Sequence, residues 1–442
     1  MRGKANLVRW FLCALFLLVA RPTATVHALP PEPPRRPRIV YVDADAAGAN
    51  DGSSWADAFN NLQDAITTAS AGCEIRVAQG TYKPNEGLSA ISAEGGRETI
   101  VLGRPGELGR NASFQLKTGV IMEGGYAGFG QDDPDERDIE AYRTVLSGDL
   151  NGDDVDVDNP WDFWREPTRA ENSYHVVTGS RTDETAVLDG FIITGGNGEL
   201  GGGMYNKDGS PTLTNCTFTG NSATYGGGMY NEDSNPILTN CTFADNLALG
   251  LPGFWRESLP EPFGEGGGMY NSASNPTLTD STFSGNLAPH GGGMRNEESR
   301  PDLTGCGFVG NKASWGGGMA NGGSDPTLTD CVFIGNEAFA GGGMGNEDSS
   351  PNLTHCRFVG NEAARGGGMH NNTRSNTSSP TLANCAFTNN VANPEWQWEY
   401  GSAGEGGEGG GMYNWDSSPT LTNCIFSGKV ANREKQGQRA AG

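Results

Sequence analysis

Between residues 201 and 426 the apolar side chains recur in step. Met stands at 204, 229, 269, 294, 319, 344, 369 and 412, Leu at 213, 238, 278, 303, 328, 353, 382 and 421, and Phe at 218, 243, 283, 308, 333, 358, 387 and 426. The common step is 25 residues, and the two longer steps, 40 and 43, come from insertions that leave the pattern intact. No helical spacing runs through a unit, and its Gly, Pro, Asn and Ser residues are used up by turns. Three short extended pieces remain in the clearest copy, at 212–214, 216–218 and 226–231.

A period in the twenties is the mark of a solenoid. Three strands and three turns per unit make one coil of a parallel β-helix, each coil hydrogen-bonded to the next about 4.8 Å away. A single coil cannot bury its own apolar edge, so like-on-like columns of Met, Leu and Phe supply a core that grows with every coil. The expected fold is all-β: a three-sheet parallel β-helix with eight regular coils over 201–428.

Polar residues form columns too. Cys stands at 216, 241, 306, 331, 356, 385 and 424, with Ser281 in the third coil. One reading is a disulfide or metal ladder; the other is a column of small buried thiols, favoured by the poor disulfide geometry of parallel side chains and the lack of any CxxC pair. Asn recurs at 206, 231, 271, 296, 321, 346, 371 and 414, and again at 221, 246, 286, 311, 336, 361 and 390. Both Asn columns are expected at turns, their stacked amides bonding to one another and to turn backbone.

Phe218-Thr219-Gly220-Asn221 followed by Gly226-Gly227 resembles the repeat of chlamydial-type polymorphic membrane proteins. More broadly, the chain resembles the right-handed parallel β-helix proteins of the pectin-lyase-like superfamily. Tyr41-Val42-Asp43, Asp51-Gly52-Ser53-Ser54-Trp55 and Gly80-Thr81-Tyr82 resemble the usual opening of such secreted proteins, so the likeness spans nearly the whole mature chain. It implies right-handed coils. It implies no one activity, because the superfamily holds lyases, hydrolases and adhesins.

Residues 1–28 read as a secretory signal, with Arg2, Lys4 and Arg9 before an apolar run at 11–20 and Val26-His27-Ala28 at the cleavage point. Residues 29–38 form a Pro-rich leader, and 39–200 an N-terminal cap with irregular coils at 74–77, 114–116 with 120–122, 144–146, 174–177 and 187–194. Trp55, Phe59, Leu62, Ala65, Ile66 and Ala69 have amphipathic spacing, which predicts a capping α-helix over 55–69 with Ser53 or Ser54 at its N-cap. Long loops separate the early coils at 84–110, 127–142 and 150–171. The last carries Trp161, Phe163 and Trp164, which suits packing on the coil flank or a binding surface. In the polar tail, 429–442, Lys429, Arg433, Lys435 and Arg439 charge the last strand edge, or a partner covers it.

Acidic residues number 53 against 30 Lys and Arg, a net charge of −23 that argues against a nucleic-acid partner. With the signal removed nothing is expected to span a membrane, and the chain is placed outside the cell or at its surface, outer-membrane association included.

Candidate chemistry lies in three places. Asp149, Asn151 and Asp153 set oxygen donors at alternate positions like the start of a Ca²⁺ loop, although Asp154 and Pro160 depart from that pattern. The position after Met reads Tyr205, Tyr230, Tyr270, Arg295, Ala320, Gly345, His370 and Tyr413, and the position before the glycines adds Tyr225, His290, Trp315 and Arg365. Flat aromatic and basic groups in an outward row suit stacking on sugar rings. Both insertions enter before the triple glycine, one with Phe254, Trp255 and Arg256, the other with Trp396, Trp398 and Tyr400. Five coil steps separate them, about 24 Å at 4.8 Å each, enough to frame a groove for several sugar units.

The expected function is therefore non-catalytic binding of a polysaccharide or cell-surface glycan. A Ca²⁺-dependent polysaccharide lyase is the enzymatic alternative, with Asp208, Glu232, Asp233, Glu297, Glu298, Glu347 and Asp348 as metal ligands and Arg295, Arg300 or Arg365 as base. Rows of Thr-x-Thr, as at Thr212 and Thr214, offer an ice-binding surface as a remote third reading.

Overall fold

The computed structural model describes residues 37–84, 91–92, 99–100, 109–155, 157, 162–163, 166–250, 263–374, 378–393, 407–428 and 430–431. The signal segment, Trp161, Trp164, Trp255, Arg256, Trp396, Trp398 and most of the tail lie outside these residues.

Successive coils pair in parallel and in register. Thr212–Thr214 lies beside Ile237–Thr239 and then Thr277–Thr279, building a 12-stranded sheet through the Leu column. The Phe column runs through an 11-stranded sheet and the Met column through a 10-stranded one. The equivalence of units predicted from the period is thus a strand register: Met204 pairs with Met229, Leu213 with Leu238 and Phe218 with Phe243. The first regular coil continues the early ones, with Val187–Asp189 and Phe191–Thr194 pairing forward into it.

The core is the shaft between these sheets. Met, Leu and Phe of the first seven coils are fully buried, and adjacent Phe rings stack 4.5–4.9 Å apart and nearly parallel. A stacked ring gains dispersion on both faces while its edge packs against Leu and Met, so a repeated Phe fills the shaft without a void. The Cys column is free of disulfides and buried from Cys216 to Cys385, with Cys424 at its end partly exposed. Each Sγ lies near two carbonyl oxygens, for Cys216 those of Leu188 at 3.4 Å and Thr214 at 3.2 Å, which is the small-buried-thiol reading.

Three expectations are corrected. The Asn206 column does not lie at turns; it occupies the strands of the Met sheet and points inward, because Nδ2 of each Asn donates to Oδ1 of the next at 2.7–2.8 Å and the interior amides satisfy one another. The second Asn column does lie at turns, where Asn221 Nδ2 donates both to Asn246 Oδ1 and to the Ile193 carbonyl. Most coils also carry a short fourth strand just after this Asn, such as Ser222–Ala223 or Lys312–Trp315, and in the coil of Asn286 single bridges at Leu287 and His290 link the two groups of these strands into a narrow ribbon beside the three main sheets.

The third correction concerns the helix, which spans only Leu62–Thr68, with Asn61 at its N-cap accepting from Gln63 N–H. Residues before it are held otherwise: Asp57 accepts from Ala49 N–H and Ser54 Oγ–H, and Phe59 exchanges backbone bonds with Tyr41 and Asp43. Trp55 leaves the helix to pack on Tyr41 and Tyr126, at 4.8 and 5.6 Å between ring centroids. Leu62, Ala65 and Ile66 join the core beside the edge strand Arg38–Val42.

Candidate functional site

The outward face of the Met sheet and the fourth ribbon adjoin at the triple glycine and form an outer corner, in which a cavity opens at the middle coils. Its floor is the column after Met, and its lip is the column before the glycines, which bridges from Tyr225 through Glu265 and His290 to Trp315. The triple glycine makes this junction possible. Gly226 takes φ +65°, and a Cβ on Gly227 or Gly228 would strike carbonyl oxygens of the next coil at 2.5–2.6 Å.

At the first coils the floor is aromatic, but its rings are not offered to solvent. Tyr205, Tyr230 and Tyr270 stack on one another, 5.7 and 5.4 Å apart at 11° and 8°, and His175 stacks below Tyr205 at 4.9 Å. Tyr230 and Tyr270 are buried. Register at strand spacing turns each face against the next ring, so these tyrosines present edges and hydroxyls to a ligand. Tyr270 Oη–H donates to Glu297 at 2.8 Å, and burial followed by neighbouring acids pushes the Tyr270 phenol far up, keeping it protonated.

The next coils are ionic. Glu265 accepts from Arg295 Nε at 2.8 Å and lies 3.6 Å from His290 Nδ1. Burial alone would raise its pKa, but the neighbouring His290 and the charge and hydrogen bond of Arg295 outweigh burial and bring it down to about 2. Arg374 Nε pairs with Glu347 at 2.7 Å. Between them opens a cavity of about 130 Å³ lined by His290, Arg295, Trp315, Glu347 and Arg374. Drug-sized sites run to roughly 300 Å³ and above, so this one suits a single ring or its substituent on a longer ligand.

Trp315 lies across the corner and touches His370, ring centroids 4.7 Å apart, and His370 meets Tyr413 edge-on at 4.9 Å. Burial first, then the Arg365 charge, pushes the His370 pKa to about 4, so its ring is neutral at pH 7.

Of the residues expected at the site, the corner gathers Tyr205, Tyr230, Tyr270, Arg295, Trp315, Arg365 and His370 in one continuous column pair. The described bases of both insertions, Glu265 and Glu408, sit in the lip. Sequence reasoning missed Glu265, which it counted inside an insertion, and Arg374, which falls in the longer span between Met369 and Leu382.

The acids assigned to a lyase do not converge. Asp208, Asp233, Glu298 and Asp348 all take φ near +50°, so each marks a turn of its own coil, and none of them belongs to a group of three metal-binding side chains among the described residues. Arg295 is committed to Glu265, and Arg300 lies 3.8 Å from Asp325. Among the described residues one acidic group of three comes together: Asp149 and Asp153 are joined by Glu171, not by a later loop residue. Asp149 accepts through both oxygens from Gly152, Asp153 and Asp154 N–H, and Asn151 N–H lies 3.4 Å from Glu171. Beside this loop Phe163 packs on Leu247, Leu249 and Leu287 with Arg169 over its ring at 4.5 Å, which is the flank packing expected of it.

Coils stacked in parallel, with an apolar shaft and one outer corner, define a β-helix protein. The model described as right handed beta helix region matches residues 171–432, more than half of the chain, and the chain belongs to that family. Among solved structures it is similar to the pectate lyase Pel9A, at 13% identity, covering 88% of this chain and 78% of that one, with a TM-score of 0.39. A rhamnogalacturonan lyase gives 10% identity, 88% and 87% coverage and 0.39. The polygalacturonase from Erwinia carotovora ssp. carotovora gives 13%, 91% and 98%, and 0.35. No curated protein sequence matches the chain.

Proposed function

We propose that the chain is a non-catalytic glycan-binding protein of the cell surface or exterior, and that the corner is its binding face. The observation that carries this reading is the cavity at His290, Arg295, Trp315, Glu347 and Arg374, where an indole and two guanidinium groups border one opening. Indole supplies the apolar platform for a sugar ring, and Arg and Glu supply charge-assisted hydrogen bonds to its substituents. Trp255, Arg256, Trp396 and Trp398 lie outside the described residues; the insertions that carry them have their described bases, Glu265 and Glu408, in the lip.

The ionic pairing supports binding over catalysis. Glu265, held at about 2 and paired with Arg295, stays ionised and cannot donate a proton at neutral pH. A hard cation such as Ca²⁺ would be held by the oxygen donors Asp149, Asp153 and Glu171 on their own loop, where it would brace the turn. Placement outside the cell accords with the sequence at 1–28, and no helix among the described residues is long and apolar enough to cross a membrane.

The test is retention of the mature chain on a panel of neutral and acidic glycans, paired with incubation on polygalacturonate with Ca²⁺. Retention without cleavage supports the proposal. Unsaturated product refutes its non-catalytic half, and lack of retention on every glycan refutes it whole.

A further inference from the structure

The floor of the corner is cut away in two consecutive coils. Arg295 is followed by Ala320 and Gly345 before His370 restores a large side chain. Trp315 lies in that gap. Its Nε1, Cε2 and Cδ1 come within 2.7, 2.9 and 3.1 Å of the point where a Cβ on Gly345 would stand.

The seat suits the indole ring but not its polar atom. Trp315 Nε1 and both ring nitrogens of His370 are buried without a hydrogen-bond partner. Three orphans in a single contact are out of keeping with a native interior, where nearly every buried polar group is paired. His370 cannot compensate by charging, since burial keeps it neutral. Trp315, by contrast, is only half-buried, stands at the end of the ribbon strand Lys312–Trp315 and has open space beside it. The closed arrangement leaves three bonds unmade that an open one could make.

We propose that Trp315 is the movable cover of a sugar subsite, displaced from the Gly345 seat by a neutral ligand group that carries both a hydrogen-bond donor and an acceptor and that pairs with His370. This rests on the reading of the corner as a glycan face. The ligand class follows from the groups uncovered: a neutral imidazole offers one donor and one acceptor, and Ala320 and Gly345 leave room for a ring over bare backbone. Sugar hydroxyls and an acetamido substituent share this chemistry, whereas an anionic substituent belongs with Arg295 and Arg374 at the rim.

The cover can be tested without a ligand. The full chain is labelled with 5-fluorotryptophan, and Trp315→Phe identifies the Trp315 fluorine resonance. Gly345→Ala fills the seat, and the fold accepts it because the same column already holds Ala320 and Tyr270. The Trp315 resonance is then expected to move and to gain the H₂O/D₂O shift of an exposed indole. If it stays in place, the cover is refuted whatever binds to the corner.

The subsite is tested next with N-acetylglucosamine and glucose tetramers on the wild-type chain. Either tetramer is expected to move the resonance towards its Gly345→Ala position, and which one does so separates acetamido from hydroxyl recognition. Gly345→Ala, already open, is expected to bind that tetramer roughly tenfold more tightly, since the closed population no longer competes. Trp315→Phe, an apolar cover without the orphan N–H, is expected to bind it more weakly. Binding of a galacturonate tetramer, seen by calorimetry with the resonance unmoved and no effect of either neutral tetramer, overturns the cover and leaves the glycan face standing. Failure of all three tetramers to bind overturns both.

Discussion

The buried amide ladder gives a prediction whose size follows from its polarity. From Asn206 to Asn414 every Nδ2 donates to the Oδ1 of the following coil, so an interior rung both gives and receives while the first rung only gives. The first rung shows the deficit directly, because Asn206 Oδ1 is buried without a partner. Asn321→Ala removes the acceptor of Asn296 Nδ2 and the donor to Asn346 Oδ1, leaving two orphans in a site closed to water. At about 1 to 3 kcal/mol for each buried group left unpaired, the cost is about 2 to 6 kcal/mol. Asn206→Ala creates one orphan, Asn231 Oδ1, and removes one that already exists, so its bonding cost is close to zero.

Both substitutions delete the same atoms from fully buried positions, so the difference between them isolates the bonds from the packing. Urea unfolding followed by far-UV circular dichroism measures the two costs. Amide exchange at 294–297 and 344–347 localises the cost of Asn321→Ala, which matters because long repeat arrays need not unfold in one step. Asn321→Ala is expected to lower the midpoint well below that of Asn206→Ala and to raise exchange in both flanking coils. Equal costs would refute the reasoning, since they would mean that side-chain volume, not the directed ladder, holds the column.

Acid should loosen the corner in two stages. His370, depressed to about 4, destabilises the fold as pH falls from the ordinary histidine value near 6.5 towards 4, where the unfolded chain gains a proton that the folded one refuses; His370→Gln removes this stage, worth about 3 kcal/mol. Glu265, also depressed, contributes stability that is complete above its ordinary value of 4.5 and is lost as pH falls towards 2; Glu265→Gln is expected to abolish that lower stage in pH-dependent melting, again about 3 kcal/mol. In a Cys13→Ser chain a thiol reagent should reach Cys424 quickly and the buried Cys216, Cys241, Cys306, Cys331, Cys356 and Cys385 only on unfolding; several fast thiols would show that the column does not face the shaft. Arg295→Ala should weaken retention on a bound glycan by on the order of tenfold and also lower the urea midpoint, because it leaves the buried Glu265 carboxylate without its guanidinium partner; unaltered retention would remove Arg295 from the binding face.

How far the sequence could be read follows from what a period conveys. Met229, Leu238 and Phe243 could be assigned to the shaft because stacking puts each beside its own copy, so one unbroken column reports the same environment eight times over. The ribbon strand Ser222–Ala223 gave no such signal, being short and built of small residues that look like a turn. The inward course of the Asn206 column was hidden because an amide reads as polar alone, although a ladder of amides satisfies itself. Trp55 misled because helical spacing across 55–69 does not reveal that Asp57 and Phe59 are already bonded to the first strand.

The corner was legible as a column but not as a site, and the reason bears on where chemistry can reside in a solenoid. A perfect repeat places the same group at every storey, and like groups occupy one another, as the Tyr205, Tyr230 and Tyr270 rings do by stacking. A pocket needs unlike neighbours. Those appear only where an outward column breaks, at Glu265, Arg295, Ala320, Gly345 and His370, and where a residue outside the period intrudes, as Arg374 does. The inward Met, Leu and Phe columns have no such freedom, because one changed ring would leave a void in a shaft shared by its neighbours. Irregularity in an outward column is therefore the signal to look for, and here it falls where the cavity opens.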